Sequence, residues 1–221
     1  MNVQASAIVC DNGEPNLVKC LQSLRAQTIP LTLIVASGPK TDGALARKYA
    51  DKVMKPVKGI GRARVQAILE ASTPYILSCD SDTIYAEDYA QFALEDLKLF
   101  NAVQASAIRP LENNILHWVE AVGASYSPIF GFEFALAFRR QAFLDAEIQT
   151  IDCEDPRNDI GYAVKFRLFP LPDPRMVCWS RFPTYGARLA SEYLPPLMIG
   201  LVPLGFTLGI PLVNEFLKPR D

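Results

Sequence analysis

The sequence carries a single histidine, His117, and no Cys-x-x-Cys pair, so nothing in it has the ligand spacing of a zinc site. Its five cysteines, Cys10, Cys20, Cys79, Cys153 and Cys178, are odd in number and widely spaced. That argues against a disulfide framework and for reduced thiols in the core of a cytosolic protein. Neither charge is in excess: 22 basic and 24 acidic side chains are mixed along the chain, with a formal net charge of -2. Such a balance leaves no electrostatic footprint for nucleic acid. Repeats and low-complexity tracts are absent. The polar opening at 1–6 runs straight into an apolar stretch, which predicts no secretory signal. Gly59 and Gly61 lack the spacing and strand context of a dinucleotide fingerprint, which excludes a Rossmann dehydrogenase.

The 221 residues, half of them hydrophobic, suffice for one well-filled core plus an appendage. Short β-rich runs alternate with amphipathic stretches, the pattern of an α/β sheet with helical crossovers. Residues 5–10 predict a first buried strand. Pro15 then opens a helix whose Leu17, Val18, Leu21 and Leu24 share one face. A second strand is predicted at 31–36, a helix at 41–49 and a short third strand around Val53 and Met54. Gly59 and Gly61 open a helix to about Ala71, and a fourth strand at 75–79 follows Pro74. Beyond it the pattern predicts a helix at 87–100, strands at 102–108, 131–138 and 176–179, and a helix at 158–166.

Chemistry concentrates where the fourth strand ends, at Asp80-Ser81-Asp82. Open α/β sheets place ligands at the carboxyl edge of their strands, and residues i and i+2 of extended backbone point the same way. Two carboxylates on one face can meet a hard divalent cation, Mg²⁺ or Mn²⁺, and through it a diphosphate. The same tripeptide also makes a serviceable turn and helix cap.

In their order along the chain these motifs resemble the family-2 glycosyltransferases. Ile8-Val9-Cys10-Asp11-Asn12-Gly13-Glu14 is similar to the family's first strand and acidic loop. Residues 21–28, ending in Gln27-Thr28, resemble its first helix. Residues 33–43 resemble the second strand and its Gly-Ser-Thr-Asp-Gly turn, with Ala36 and Ser37 where the family carries a base-holding aspartate. Gly59-Ile60-Gly61-Arg62-Ala63-Arg64 resembles the segment before the acidic strand, with Val65 in place of asparagine. The resemblance runs from about Ser6 to Gly186.

It implies a GT-A-like twisted mixed sheet flanked by helices, with residues 1–190 as the catalytic domain and 191–221 as an apolar C-terminal segment. It implies an inverting, metal-dependent transfer of a hexose from a UDP- or GDP-linked donor to an acceptor hydroxyl or lipid phosphate. Asp82, with Asp80, would hold Mg²⁺ or Mn²⁺. Asp80 would also reach the ribose, Glu14 the nucleoside, and Asp11, Ser37, Arg62 and Arg64 would complete the donor site. Asn158-Asp159-Ile160-Gly161-Tyr162-Ala163-Val164-Lys165 matches the spacing of the family's base motif, which makes Asp159 the first choice for general base. Glu154 and Asp155 are its rivals. Ser180-Arg181 resembles a step near the diphosphate, where Arg181 would clamp a phosphate.

A sugar nucleotidyltransferase would need a basic, Gly-rich loop after the first strand, and here that loop is acidic. A non-catalytic binding protein on the same fold stays open as an alternative. Residues 194–213 hold no charged side chain across 20 positions, yet include four prolines. They read either as a peripheral or anchoring contact with the cytoplasmic face of a membrane or as a segment packed on the domain.

Overall fold

The computed structural model describes residues 4–112, 117, 118, 121, 133–151 and 160–181. One eight-stranded mixed sheet organises them, in the order β3-β2-β1-β4-β7-β6-β8-β5. The strands are β1 (Ala5–Asp11), β2 (Leu31–Ser37), β3 (Lys52–Val53), β4 (Tyr75–Asp80), β5 (Thr83–Tyr85), β6 (Ala102–Pro110), β7 (Leu136–Arg139) and β8 (Leu171–Ser180). Helices α1 (Leu17–Arg25), α2 (Gly43–Ala46), α3 (Ile60–Glu70), α4 (Tyr89–Leu97), α5 (Arg140–Asp145) and α6 (Ile160–Leu168) flank it.

Side-chain alternation in β1 sets the two layers. Ala5, Ala7 and Val9 face a core built with Leu17, Leu21 and Leu24 of α1 and with Tyr89 and Leu97 of α4. Ile8 and Cys10 face the opposite core, where Ala67 and Ile68 of α3 meet Phe138, Phe143 and Val164. A strand buried on both faces is mostly apolar, and every residue of β1 is buried, with its polar members satisfied: Ser6 bonds Thr73, and Asp11 accepts from the Gly13 and Glu14 N–H groups. Each large aliphatic side chain so placed contributes about 1.5–3 kcal/mol. Gln27 ties α1 across to α4: its amide donates to the Ala86 carbonyl at 2.7 Å and accepts from the Ala90 N–H at 2.8 Å.

Strand direction decides which ends meet. β1, β2, β3 and β4 are mutually parallel, so Asp11, Ser37 and Asp80 end at one edge. β7 runs antiparallel to β4 and to β6, and β8 is parallel to β6, so Ser180 ends at that same edge.

Several sequence expectations change. The helix expected at 41–49 spans only Gly43–Ala46, because the chain must rejoin the sheet at Asp51, whose carboxylate accepts from the Leu33 N–H at 2.7 Å. The strand expected at 131–138 becomes a 3-10 turn at Glu133–Ala135 followed by the shorter β7. The strand expected at 176–179 extends over Leu171–Ser180. Asp80 is the last residue of β4, and Ser81 and Asp82 form a turn, so the two carboxylates are not presented by one extended strand. That turn leads into strand β5 rather than a capped helix, because Thr83, Ile84 and Tyr85 pair with β8. Cys10, Cys20, Cys79 and Cys178 are buried and not joined in disulfides among the described residues, as expected of core thiols.

Among the described residues no helix is long and apolar enough to cross a membrane. The apolar run at 194–213 lies outside the described residues.

Candidate donor-binding site

Asp11, at the end of β1, is fully buried. Its carboxylate accepts from the Gly13 N–H at 3.0 Å and the Glu14 N–H at 3.1 Å, closing a tight turn that fixes where Glu14 stands. Gly13 takes a left-handed φ of +91°, and a Cβ there would meet the Lys40 carbonyl oxygen at 2.9 Å. Only glycine suits that position. Gly38 is forced by contact instead: a Cβ would fall 2.4 Å from Asn12 Oδ1. Asn12 Oδ1 also accepts from the Lys40 N–H at 3.2 Å, and Thr41 Oγ1 donates to the Asp11 carbonyl at 2.7 Å. The loops after β1 and β2 are thus laced together, and Ser37 beneath them is buried with its hydroxyl unpaired among the described residues.

Arg64 projects from α3 into the sheet, and its side chain is 1% exposed. Its Nε donates to Cys10 Sγ at 2.9 Å and its Nη1 to Ser78 Oγ at 2.9 Å. Its Nη2 donates to Asp80 Oδ1, forming an ion pair. Asp80 is further held by its own backbone: its N–H donates to the Tyr85 hydroxyl at 3.3 Å, and its carbonyl accepts from the Cys20 thiol at 3.3 Å. Asp80 therefore comes with a counter-charge already supplied.

Asp82 differs in just that respect. Its carboxylate accepts a hydrogen bond from Thr83 Oγ1 at 3.2 Å. Burial, then the negative charges of Asp80 and Glu14, push its pKa up to about 6, against the smaller lowering by Thr83. A carboxylate that resists ionisation beside other anions is one that a cation would relieve. The Thr83 hydroxyl also meets Ser180 Oγ at 3.0 Å, which brings the end of β8 to the acidic turn. The next residue, Arg181, reaches Glu14 Oε2 with Nη1 at 3.4 Å, both side chains being about half exposed. Arg62 lies exposed on the first turn of α3.

The structure brings Asp11, Glu14, Ser37, Arg64, Asp80, Asp82 and Arg181 to one sheet edge, while Asp159, Asp155 and Glu154 lie outside the described residues. Ser78 and Thr83 join the site without having been singled out by sequence, and Cys10 and Ser180, named there only as parts of longer motifs, join it too. Ser78 did carry a signal, since a hydroxyl inside the apolar run of β4 must find a partner. No group of three or more acidic, histidine or cysteine side chains that could cage a metal occurs among the described residues. The donor set fits instead a hard cation held by one or two carboxylates and completed by phosphate oxygens.

Fold and edge together define the class: an α/β protein whose mixed sheet carries carboxylates at the carboxyl ends of its parallel strands. The family model described as Glycosyl transferase family 2 matches residues 7–146, well over half of the chain, and the chain belongs to that family of glycosyltransferases. Solved structures with this fold include S. aureus TarS, with a TM-score of 0.65 at 16% identity over 99% of this chain. A form of TarS limited to 1–349 and solved with UDP-GlcNAc gives 0.61 at 14% identity, over 99% of this chain and 68% of that one. The Pyrobaculum calidifontis mannosyltransferase PcManGT, solved with GDP-Man and Mn²⁺, gives 0.64 at 16% identity, over 96% of this chain and 73% of that one. The chain spans 46% of the longer TarS chain. No curated protein matches it significantly.

Proposed function

We propose that this chain moves a hexose from a UDP- or GDP-linked donor to an acceptor hydroxyl, with inversion, using a donor site centred on Asp82. The observation that carries the reading is the division of labour between the two carboxylates. Asp80 is neutralised by a buried guanidinium, whereas Asp82 is left with its pKa raised beside Asp80 and Glu14. The first suits hydrogen bonding to the ribose hydroxyls. The second suits a divalent cation, Mg²⁺ or Mn²⁺, which when bound neutralises the diphosphate as it leaves the anomeric carbon.

Glu14, set by the Asp11–Gly13 turn, would contact the nucleoside. Arg181, now on Glu14, would turn to the diphosphate as a planar donor. Asp159, or failing it Glu154 or Asp155, would accept the acceptor's proton as its oxygen forms the new bond to the anomeric carbon and the bond to the diphosphate breaks. The acceptor would be a carbohydrate or lipid-linked hydroxyl, and the chain would work in the cytoplasm or at the cytoplasmic face of a membrane. Support for a nucleotide-sugar donor comes from family membership and from relatives solved with UDP-GlcNAc and GDP-Man.

Release of nucleoside diphosphate from UDP- and GDP-sugars, in the presence of candidate acceptors, tests this. Release that needs Mn²⁺ and stops in Asp82→Ala and Asp159→Asn supports the reading. Release untouched by EDTA or by Asp82→Ala contradicts it.

A further inference from the structure

Beside the carboxylate edge, one face of the sheet carries side chains that neither core nor the donor site uses. β6, β8 and β5 lie next to one another, with Arg109 opposite Trp179 and Trp179 opposite Ile84. Opposed residues of neighbouring strands share a face, so these three side chains form a row across the sheet. Ile108, Cys178 and Tyr85, one residue away along each strand, point the other way into the core with α1 and α4. The row does not join the core built with α3, α5 and α6, to which β6 contributes only Ala102. Arg109 is exposed, and Trp179 and Ile84 are half-buried.

The order of the row relates it to the reacting groups. Ile84 stands two residues past Asp82, whereas Arg109 lies two strands away from β5, about 10 Å at the usual strand spacing. Trp179 stands between them. It directly precedes Ser180, whose Oγ lies 3.0 Å from Thr83 Oγ1. The acidic turn, an aromatic ring and a cation thus succeed one another from strand to strand, at intervals near the width of a pyranose ring.

Each member offers a different contact. The Trp179 face is electron-rich and takes the weakly positive C–H groups of a sugar ring, as it takes a guanidinium. Arg109 Cζ sits 5.7 Å from the Trp179 ring centroid, close to the roughly 6 Å limit of such contacts, so the ring is flanked rather than capped. Among the described residues the Arg109 side chain makes no hydrogen bond or ion pair. Glu112, three residues on, has its carboxylate against His117 instead, 3.7 Å from Nδ1. An exposed guanidinium with its donors unengaged suits a phosphate or a carboxylate. The diphosphate of a donor would meet the cation at Asp82 and Arg181, which leaves Arg109 for the other substrate.

We propose that Ile84, Trp179 and Arg109 form the acceptor platform. The sugar ring that receives the hexose stacks on Trp179, with its reacting hydroxyl towards Asp82 and an anionic substituent, phosphate or carboxylate, on Arg109. The acceptor is then a sugar phosphate or an acidic glycan rather than a neutral saccharide. This rests on the donor site proposed above only for the direction in which the hydroxyl points.

The test reads the platform without the transfer. Trp118 and Trp179 are the two tryptophans of the chain, so in Trp118→Phe the fluorescence reports Trp179 alone. Glucose, glucose 6-phosphate, glucuronate and inorganic phosphate are titrated into that variant, and into wild type, where the same change is read over the Trp118 background. Glucose 6-phosphate and glucuronate should alter the Trp179 emission at several-fold lower concentration than glucose does, and inorganic phosphate, with no ring to stack, should give a much smaller change. Arg109→Gln should bring both charged sugars to the affinity of glucose, and Arg109→Lys should keep part of the preference. Adding Asp82→Asn should leave these responses as they are, so the outcome does not depend on whether Asp82 holds a donor. The proposal is overturned if the charged sugars leave Trp179 unchanged, if glucose binds as well as they do, or if inorganic phosphate gives the same change. It is also overturned if the preference survives Arg109→Gln, or if wild type proves to be a dimer that Trp179→Ala dissociates.

Discussion

Asp80→Ala removes the Asp80 carboxylate from the buried Arg64 guanidinium. The bonds from Nε to Cys10 Sγ and from Nη1 to Ser78 Oγ bring no opposite charge. With that side chain 1% exposed, water cannot replace the lost anion, and breaking such a pair from one side costs roughly 3–5 kcal/mol. The reverse change, Arg64→Met, is milder. Asp80 keeps 28% of its side chain exposed and can recover part of its hydration, and methionine fills the space of the arginine stem. A cost of about 1–3 kcal/mol results.

Arg64→Met in the Asp80→Ala background removes the guanidinium whose carboxylate partner Asp80 is lost, so the double variant should be more stable than Asp80→Ala alone. Urea denaturation followed by fluorescence reads all three. With a slope of roughly 2–3 kcal/mol/M for a chain of this size, Asp80→Ala should lower the midpoint by about 1.5 M, with the double variant regaining part of it. Equal costs for the two single changes, summing without coupling in the double, would refute the argument that a buried ion pair sets the first carboxylate.

Other perturbations separate the remaining parts of the site. Asp82 has its pKa raised in the folded, metal-free protein to about 6. Its folded state therefore holds a proton the unfolded chain releases, and the stability linked to it is present below about pH 4 and lost as pH rises through about 6. Asp82→Asn should stabilise the metal-free protein at pH 7.5, by on the order of 2 kcal/mol, and flatten that pH dependence in a thermal melt. Ser37→Ala should be neutral or stabilising by thermal melt, since its buried hydroxyl has no partner among the described residues. Ser78→Ala should destabilise by about 1 kcal/mol, because its hydroxyl accepts from Arg64. Gly13→Ala should cost more than about 1 kcal/mol and weaken nucleotide binding, read by melting and by calorimetry, since it disturbs the turn that sets Glu14. Arg181→Ala should leave stability within about 1 kcal/mol, its ion pair being half exposed, while weakening nucleoside diphosphate binding about tenfold in calorimetry.

The sheet was readable from sequence where one strand's burial was decided by its own residues. β1, β2 and β4 are apolar runs bounded by polar turns, and they stand where periodicity placed them. The antiparallel half was less readable, because β5 owes its three-residue existence to pairing with β8 and β7 is reached through a 3-10 turn. Both are set by partners distant in sequence. In the site, the Asp80-Ser81-Asp82 tripeptide was conspicuous, but its geometry was not: the second carboxylate sits on a turn rather than on the strand face. Arg64 stood out through resemblance, whereas its burial against Cys10 and Ser78 comes from the packing of α3 on β1 and β4. Ser180 comes beside Thr83 because β5 pairs antiparallel with β8, with Thr83 opposite Ser180.

Titration calorimetry of UDP, GDP and their sugars, with Mn²⁺ and with EDTA, against wild type and Asp82→Asn shows whether the donor is held through Asp82. The asparagine variant is chosen because it should fold at least as well as wild type. Binding to wild type should require Mn²⁺ and be lost in Asp82→Asn. Equal binding by both proteins, or none by wild type with any nucleotide, would contradict a donor site built on Asp82.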